Sequence, residues 1–166
     1  MKIGIISDTH DHHVNVLKAI EIFNNERVEY VFHAGDIVSP FTAKAFGNVK
    51  NAKFIAVFGN NDGDHELLRK KFSEQDRLEI RGNFADVAAD GLRIVLLHGS
   101  DMELMKALID SVSFDVVVHG HSHRAETYRK GKTLIVNPGE VCGYLTGKST
   151  IAVFDTNTRQ ARILEL

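Results

Sequence analysis

Short apolar runs alternate with segments of helical character through the first half of the chain, and this alternation limits the fold more than any other feature. The apolar runs are KIGIIS, VEYVFHA and KFIAVF, and helix-like segments follow them at residues 14–26, 39–48 and 64–75. Ser39 and Pro40 are typical of a helix N-cap and a first helical position. Because each helix carries the chain back to the start of the next strand, the sequence predicts a largely parallel sheet covered by helices.

The second half of the chain is richer in strands. Residues 83–99 predict two strands joined by a tight Asp-Gly turn, and residues 125–139 and 149–166 each predict a strand, a turn and a strand. A further helix and strand lie between these segments. With 166 residues the chain can bury about two-thirds of its unfolded surface in a hydrophobic core. We expect one α/β domain over residues 1–166, built from two packed sheets flanked by helices.

Polar side chains that can bind a metal stand where five of the apolar runs end. They are Asp8, His10, Asp36, Asn60, His98, His121 and His123. Ligands bind at the carboxyl ends of the strands in α/β sheets, so these five strand ends can converge on one crevice. Residues two apart in extended backbone face the same side, so Asp8 with His10, and His121 with His123, can each present two ligands together.

Each of these motifs alone also has a plain structural interpretation. Asp8 and Asp36 can be turn residues, and a single histidine such as His98 is more often a hydrogen-bonded interior residue than a ligand. HGHSH at 119–123 is the exception, because three imidazoles in five residues suit neither a helix nor a core, although a solvated loop would accept them. The ordered recurrence of all five motifs at strand ends favours a shared site.

The donor atoms of this set suit a pair of divalent metal ions. Imidazoles, carboxylates and one carboxamide favour Mn, Fe, Co, Ni or Zn over Ca, and no thiolate-selecting site is present. Seven ligands are too many for one catalytic ion with an open position, but they fit two ions about 3.5–4 Å apart that share a carboxylate. Such a pair clamps phosphoryl oxygens and lowers the pKa of a water molecule between the ions.

The charge balance limits the partners that the chain can bind, and the cysteine content indicates its cellular compartment. The 22 acidic and 20 basic side chains give a net charge of −2, so we expect no stable nucleic-acid binding. We expect neither a membrane span nor a signal peptide, because no apolar run is long enough for either. One cysteine, Cys142, excludes an intramolecular disulfide and fits a reducing cytoplasm, where it is expected to be a small buried residue rather than a catalytic thiol. The oligomeric state stays open, with a homodimer as one candidate.

The ordered motifs DTH (8–10), GD (35–36), GNND (59–62), HG (98–99) and GHSH (120–123) resemble those of the calcineurin-like metallophosphoesterases. The likeness runs from residue 3 to about 155 and is closest to the small single-domain phosphodiesterases of bacteria and archaea. It implies a four-layer α/β/β/α fold and hydrolysis of a small phosphodiester by direct attack of a hydroxide that bridges two metal ions. Mn or Ni are the metals that we favour for activity.

The same resemblance implies a role for each ligand. One ion would be held by Asp8, His10 and His123, and the other by Asn60, His98 and His121. Asp36 would bridge the two ions.

Residue 61 departs from the family pattern. The family motif is commonly Gly-Asn-His-Asp, and its histidine can protonate the leaving group, whereas this chain has Asn61. An amide can donate a hydrogen bond to the substrate phosphate but cannot act as a general acid at neutral pH. Loss of such an acid costs about 10²–10⁴-fold where the leaving group needs a proton, so we expect weak or no monoesterase activity. Asp62 is expected to orient a neighbouring group rather than to bind metal.

Two other functions stay open at this point. The fold also occurs in a non-catalytic protein-sorting scaffold subunit, so a metal-binding interaction scaffold is the main alternative. A nuclease is the third, although the acidic balance and the short chain leave little room for a DNA-binding surface.

The remaining polar residues near the motifs are expected to support the site or to lie in solvent. His33 and His119 are predicted to be core or supporting residues, and His65 to be exposed on a helix. His12 and His13 are predicted to lie in a loop or a first helical turn, where either could also reach substrate. NPGE at 137–140 fits both a cleft wall and a plain turn.

Overall fold

Eleven strands and four helices make up the computed structural model, which describes residues 1–166. The first half contains β1 (Lys2–Ile6), α1 (His13–Glu26), β2 (Tyr30–His33), a 3-10 turn (Pro40–Thr42), α2 (Ala43–Phe46), β3 (Lys53–Ala56), α3 (His65–Ser73) and β4 (Leu78–Ile80). The second half contains β5 (Phe84–Ala89), β6 (Leu92–Leu97), α4 (Met102–Ser111), β7 (Val116–Val118), β8 (Glu126–Lys130), β9 (Thr133–Asn137), β10 (Thr150–Asp155) and β11 (Gln160–Glu165).

The strands form two sheets. The first has the order β11-β10-β1-β2-β3-β4, in which β1 to β4 run parallel and β10 and β11 are antiparallel additions. The second has the order β5-β6-β7-β9-β8, in which β6, β7 and β9 run parallel between two antiparallel edge strands. Each sheet therefore brings the carboxyl ends of its parallel strands to one edge.

Three apolar clusters define four layers. Twenty-two buried residues, among them Phe23 of α1 and Phe54 of β3, pack the first sheet against α1, α2 and α3. Eighteen more, among them Ile55 of β3 and Leu96 of β6, fill the space between the sheets, and six pack the second sheet against α4. Phe54 and Ile55 point to opposite faces because side chains alternate along a strand. The order helix, sheet, sheet, helix is the predicted α/β/β/α arrangement, and we keep one domain over residues 1–166 as a proposal.

Local details confirm some boundaries and correct others. The Asp-Gly turn between β5 and β6 is confirmed, and φ is positive at both Asp90 (50°) and Gly91 (72°), as a type I′ turn requires. The single helix predicted over residues 39–48 is wrong. The Ser39 hydroxyl does accept from Phe41 N, but a 3-10 turn and a four-residue α2 follow it.

None of the helices is both long and apolar enough to cross a membrane.

The sequence does not predict strand β4. The strand has three residues and only Leu78 is buried, so no alternation of buried and exposed residues can be recognised. Helix α3 begins one residue later than predicted, because Asp64 caps it by accepting from Leu67 N. Neither change moves a predicted ligand.

Candidate metal centre

The predicted ligands lie in the turns that follow parallel strands of both sheets. The turns after β1, β2 and β3 carry Asp8, His10, Asp36 and Asn60, and those after β6 and β7 carry His98, His121 and His123. Five of these seven have left-handed backbone: Asp8 (φ 50°), His10 (38°), Asp36 (60°), His121 (67°) and His123 (60°). Such conformations cost about 1–3 kcal/mol each in non-glycine residues and are concentrated at functional sites. The extended backbone expected for Asp8 with His10 and for His121 with His123 is therefore wrong, because these residues lie in turns rather than in strands.

Four of the seven form one tight group. Donor atoms of Asp8, His10, Asp36 and His123 all lie within 4.8 Å of one another. His123 Nε2 is 3.3 Å from Asp8 Oδ1, and His10 Nε2 is 3.5 Å from Asp36 Oδ2. The His10 and His123 rings are stacked with their centroids 5.5 Å apart.

The other three form a second group around His98. His98 Nε2 is 3.4 Å from Asp36 Oδ2 and 3.0 Å from Asn60 Oδ1. The His121 ring lies edge-on to the His98 ring, with centroids 5.1 Å apart. One oxygen of the Asp36 carboxylate, Oδ2, therefore contacts an imidazole of each group.

Buried donor atoms in the first group lack partners within the protein. Asp8 is fully buried, and burial raises the pKa of its carboxyl group. Its Oδ1 has no hydrogen-bond partner, because the approach of His123 Nε2 lacks hydrogen-bond geometry, and buried His10 Nε2 has no partner either. Unpartnered buried groups of this kind are costly, and a divalent cation would satisfy both atoms. The residues present thus fit a metal site.

Backbone and side-chain contacts fix the imidazoles of His98 and His123. His98 Nδ1 donates to the Ala34 carbonyl at 2.7 Å, since a carbonyl can only accept, and this turns Nε2 towards Asp36. His123 Nδ1 lies 2.7 Å from Glu140 Oε2, which turns its Nε2 towards Asp8. A carboxylate or carbonyl behind each imidazole is the usual support of a histidine ligand.

Glu140 is a site residue that sequence reasoning did not identify beyond the NPGE segment. Its carboxylate is fully buried and also accepts from Leu145 N at 3.0 Å, Thr146 Oγ1 at 2.7 Å and Cys142 Sγ at 3.1 Å. Burial acts to raise its pKa, but the hydrogen bonds from His123 and Thr146 outweigh it and lower the pKa to about 2. The only sequence signal was a carboxylate placed between apolar runs after a Pro-Gly turn.

Glu140→Gln should weaken divalent metal binding about 10- to 100-fold, the usual effect of losing the carboxylate behind a histidine ligand. An amide can donate as well as accept, so it no longer fixes which nitrogen of His123 faces Asp8. Titration of the metal-free protein with Mn²⁺ measures the effect, and Glu29→Gln, at an exposed carboxylate, is the matched control. Equal Mn²⁺ affinity of wild type and Glu140→Gln would limit Glu140 to anchoring the 141–146 loop.

Asn61 and Asp62 contact the turn that carries Asp36. The Asn61 side-chain amide donates to Asp36 Oδ2 at 2.7 Å and its backbone N–H donates to Oδ1 at 2.9 Å. Burial acts to raise the pKa of Asp36, but hydrogen bonds from His98 and Asn61 outweigh it and hold the pKa well below its usual range. Asp62 accepts from the backbone N–H groups of Asp36 (3.1 Å), Val38 (2.6 Å) and Gly59 (2.8 Å), and so joins two ligand-bearing turns.

Gly59 is required by the closeness of these turns. A Cβ atom there would lie 2.1 Å from Asp36 Oδ1, which excludes any side chain. The glycine in GNND therefore allows the two turns to meet.

The remaining histidines lie outside the ligand set. Buried His33 lies 3.1 Å from Thr9 Oγ1 and accepts from Gly35 N, and burial lowers its pKa to about 3, so it stays neutral. His119 is buried beside Gly120. His12 caps α1 through Nδ1, and exposed His13 is the first residue of that helix. His65 is exposed on α3, as predicted, and its ring is stacked on Phe58.

Comparison with known proteins agrees with this arrangement. The profile of the calcineurin-like phosphoesterase superfamily domain matches residues 1–159. A protein of Methanocaldococcus jannaschii named as a phosphodiesterase is 45% identical over 166 residues, which cover 100% of this chain and 99% of the relative. This chain is a member of the calcineurin-like phosphoesterase superfamily. The phosphoesterase is thus a hydrolase of the metallophosphoesterase family.

Solved structures extend the comparison. The phosphoesterase superposes on a structure described as a novel archaeal phosphodiesterase with a TM-score of 0.95 and 44% identity, over 100% of both chains. Vps29 of Entamoeba histolytica in complex with Zn²⁺ gives a TM-score of 0.70 at 17% identity, over 100% of this chain and 98% of its own. This second likeness shows the fold alone.

Proposed function

We propose that the phosphoesterase hydrolyses small phosphodiesters with two divalent metal ions and has weak or no activity on monoesters. The convergence of two ligand groups on the Asp36 carboxylate carries this proposal, because His10 Nε2 and His98 Nε2 both lie within 3.5 Å of Oδ2. The name of the 45% identical relative as a phosphodiesterase supports the diester preference.

Each group would hold one ion. Asp8, His10 and His123 would bind the first, Asn60, His98 and His121 the second, and Asp36 both. The ions would supply a hydroxide near neutral pH and would neutralise charge on the phosphoryl oxygens, with Mn or Ni favoured among the metals that suit these ligands. Glu140 and the Ala34 carbonyl hold two of the imidazoles with Nε2 facing the site.

Asn61 would contact the substrate phosphate. It is exposed at the edge of the site, and its amide already reaches Asp36 Oδ2 at 2.7 Å. An amide positions a phosphoryl oxygen but delivers no proton, so leaving groups that depart without protonation are favoured. Asp62 would act through Asp36 and Gly59 rather than on substrate, since its three hydrogen bonds all go to backbone.

Chelation tests the proposal directly. EDTA should abolish hydrolysis of bis(p-nitrophenyl) phosphate, and Mn²⁺ or Ni²⁺ should restore it after the chelator is removed. Two ions bound per chain at full activity would support the paired site. Absence of hydrolysis with every divalent ion in a series from Mn to Zn would overturn the enzymatic proposal.

An interaction scaffold of the same fold is the second candidate. It is favoured by exposed apolar side chains beside the site, since Tyr144 is 64% and Leu145 74% exposed. The unpartnered buried donor atoms of Asp8 and His10 argue for metal chemistry instead. Weak metal binding together with absent hydrolysis would select the scaffold.

Location and assembly remain predictions. The free buried thiol of Cys142 is compatible with the reducing cytoplasm expected from the sequence. A homodimer stays one candidate for the oligomeric state, which the mass in solution would measure. The absence of stable nucleic-acid binding stays a prediction that a DNA-binding assay would test.

A further inference from the structure

A groove of about 430 Å³ leads away from the metal centre beside Asn60 and His98. Its walls come from the β3–α3 connection, from the start of α3 and from the segment between β6 and α4. Both residues at its inner end belong to the proposed second metal group, so a substrate bound there would extend one of its ester groups into this groove. The volume is sufficient for an aryl or a nucleoside group.

One wall presents a fixed aromatic face. The imidazole of His65 lies parallel to the Phe58 ring, with centroids 3.8 Å apart and planes 6° apart. Phe58 is buried and its ring also lies 5.1 Å from the Arg69 guanidinium carbon, which holds the stack in place. His65 is exposed, so the imidazole face that does not contact Phe58 is free to stack on a ligand. Leu104, 46% exposed on α4, adds an apolar contact.

The polar lining of the groove disfavours a further anionic group. It contains two carboxylates and no lysine or arginine. Both carboxylates are engaged, that of Asp62 with backbone N–H groups and that of Asp101 as the N-cap of α4. Asn83 and Ser100 supply neutral hydrogen-bonding groups.

The surface beside His123 differs in charge from this groove. A second groove of about 430 Å³ begins at His123, and Arg124 and Lys148 line it together with Glu165. An ester group that carries extra negative charge would be better placed on this side. The two grooves therefore differ in the kind of ester group that each accepts.

We propose that the groove lined by Phe58, His65 and Leu104 binds one ester group of the substrate, and that this group is aromatic and uncharged, as an aryl or nucleoside group is. The proposal rests on the proposed function only for the placement of the phosphate at Asn60 and His98. One aromatic stack contributes about 0.5–1.5 kcal/mol, which corresponds to roughly 2- to 10-fold in affinity.

Two phosphonates that differ in a single group test the groove without any hydrolysis. Phenylphosphonate should bind the Mn²⁺-loaded protein more tightly than methylphosphonate in calorimetric titrations. His65→Ala should reduce that ratio of affinities by roughly 2- to 10-fold, because it removes the aromatic stack. Leu104→Ala should reduce the ratio as well, because it removes an apolar contact. His65→Phe should keep the ratio, and Lys148→Ala, in the second groove, is the matched control with an unchanged ratio.

The outcomes separate this proposal from the enzymatic one. Equal binding of the two phosphonates, or no binding of either, overturns the groove assignment. A phenyl preference that survives His65→Ala and Leu104→Ala overturns it too. A phenyl preference that depends on His65, in a protein that hydrolyses no diester, would leave the groove assigned and would remove the proposed function.

Discussion

Asp36→Asn should lower kcat/KM for bis(p-nitrophenyl) phosphate by at least about 10³-fold and should reduce metal binding in both ligand groups. His10 Nε2 and His98 Nε2 both lie within 3.5 Å of Asp36 Oδ2, and an amide at this position carries no negative charge to hold two cations. Loss of several kcal/mol of charge stabilisation corresponds to about three powers of ten in rate. Steady-state kinetics and metal analysis of the purified variant measure the two effects.

The backbone conformation of residue 36 accepts asparagine. Asp36 has φ of 60°, and asparagine adopts this left-handed conformation about as readily as aspartate. The variant should therefore fold, which circular dichroism can check. Asp86→Asn, at an exposed carboxylate paired with Arg93, is the control and should keep its activity. Full metal occupancy in Asp36→Asn would contradict the bridging role.

Asn61→His should raise hydrolysis of phenyl phosphate relative to bis(p-nitrophenyl) phosphate by about 10²-fold. The imidazole can protonate a leaving group, whereas the present amide cannot. The backbone N–H of residue 61 would still donate to Asp36 Oδ1, so the Asp36 turn keeps one of its two hydrogen bonds from this residue. Kinetics with monoesters of graded leaving-group basicity measure the effect, which should be largest for the most basic leaving group.

A second variant tests whether the effect of Asn61→His comes from its proton donor or from the change in side-chain size. Asn61→Ala removes the amide and adds no proton donor, so its ratio of monoester to diester hydrolysis should stay near that of the wild type. An unchanged or lowered ratio in Asn61→His would refute the role given to residue 61. The role would also be refuted if the hydrolysis rates of Asn61→His and Asn61→Ala depended in the same way on leaving-group basicity.

The convergence of the candidate ligands could be predicted because the sheet topology dictates it. Parallel strands β1, β2 and β3 end at one edge, as do β6 and β7, so polar residues after them must be neighbours. The Asp-Gly turn could be predicted for a local reason, since Asp and Gly accept positive φ.

Other features depend on contacts that sequence patterns do not carry. Glu140 reaches His123 across 17 residues of chain, after β8 and β9 have reversed its direction. The stack of His65 on Phe58 depends on the path of the turn between β3 and α3. Strand β4 is too short for an alternating pattern to be recognised, and α2 has only four residues before Gly47.

Because the candidate ligands are divided between two sheets, a bound metal would be tied to the stability of the whole molecule. Asp36 comes from the first sheet and His98 from the second, and the buried side chains between the sheets set the distance that separates them. An ion bound by both residues would cross-link the two sheets. The free concentration of the metal ion would then shift the unfolding equilibrium by mass action. Both the metal concentration and the packing between the sheets would therefore affect the free energy of unfolding.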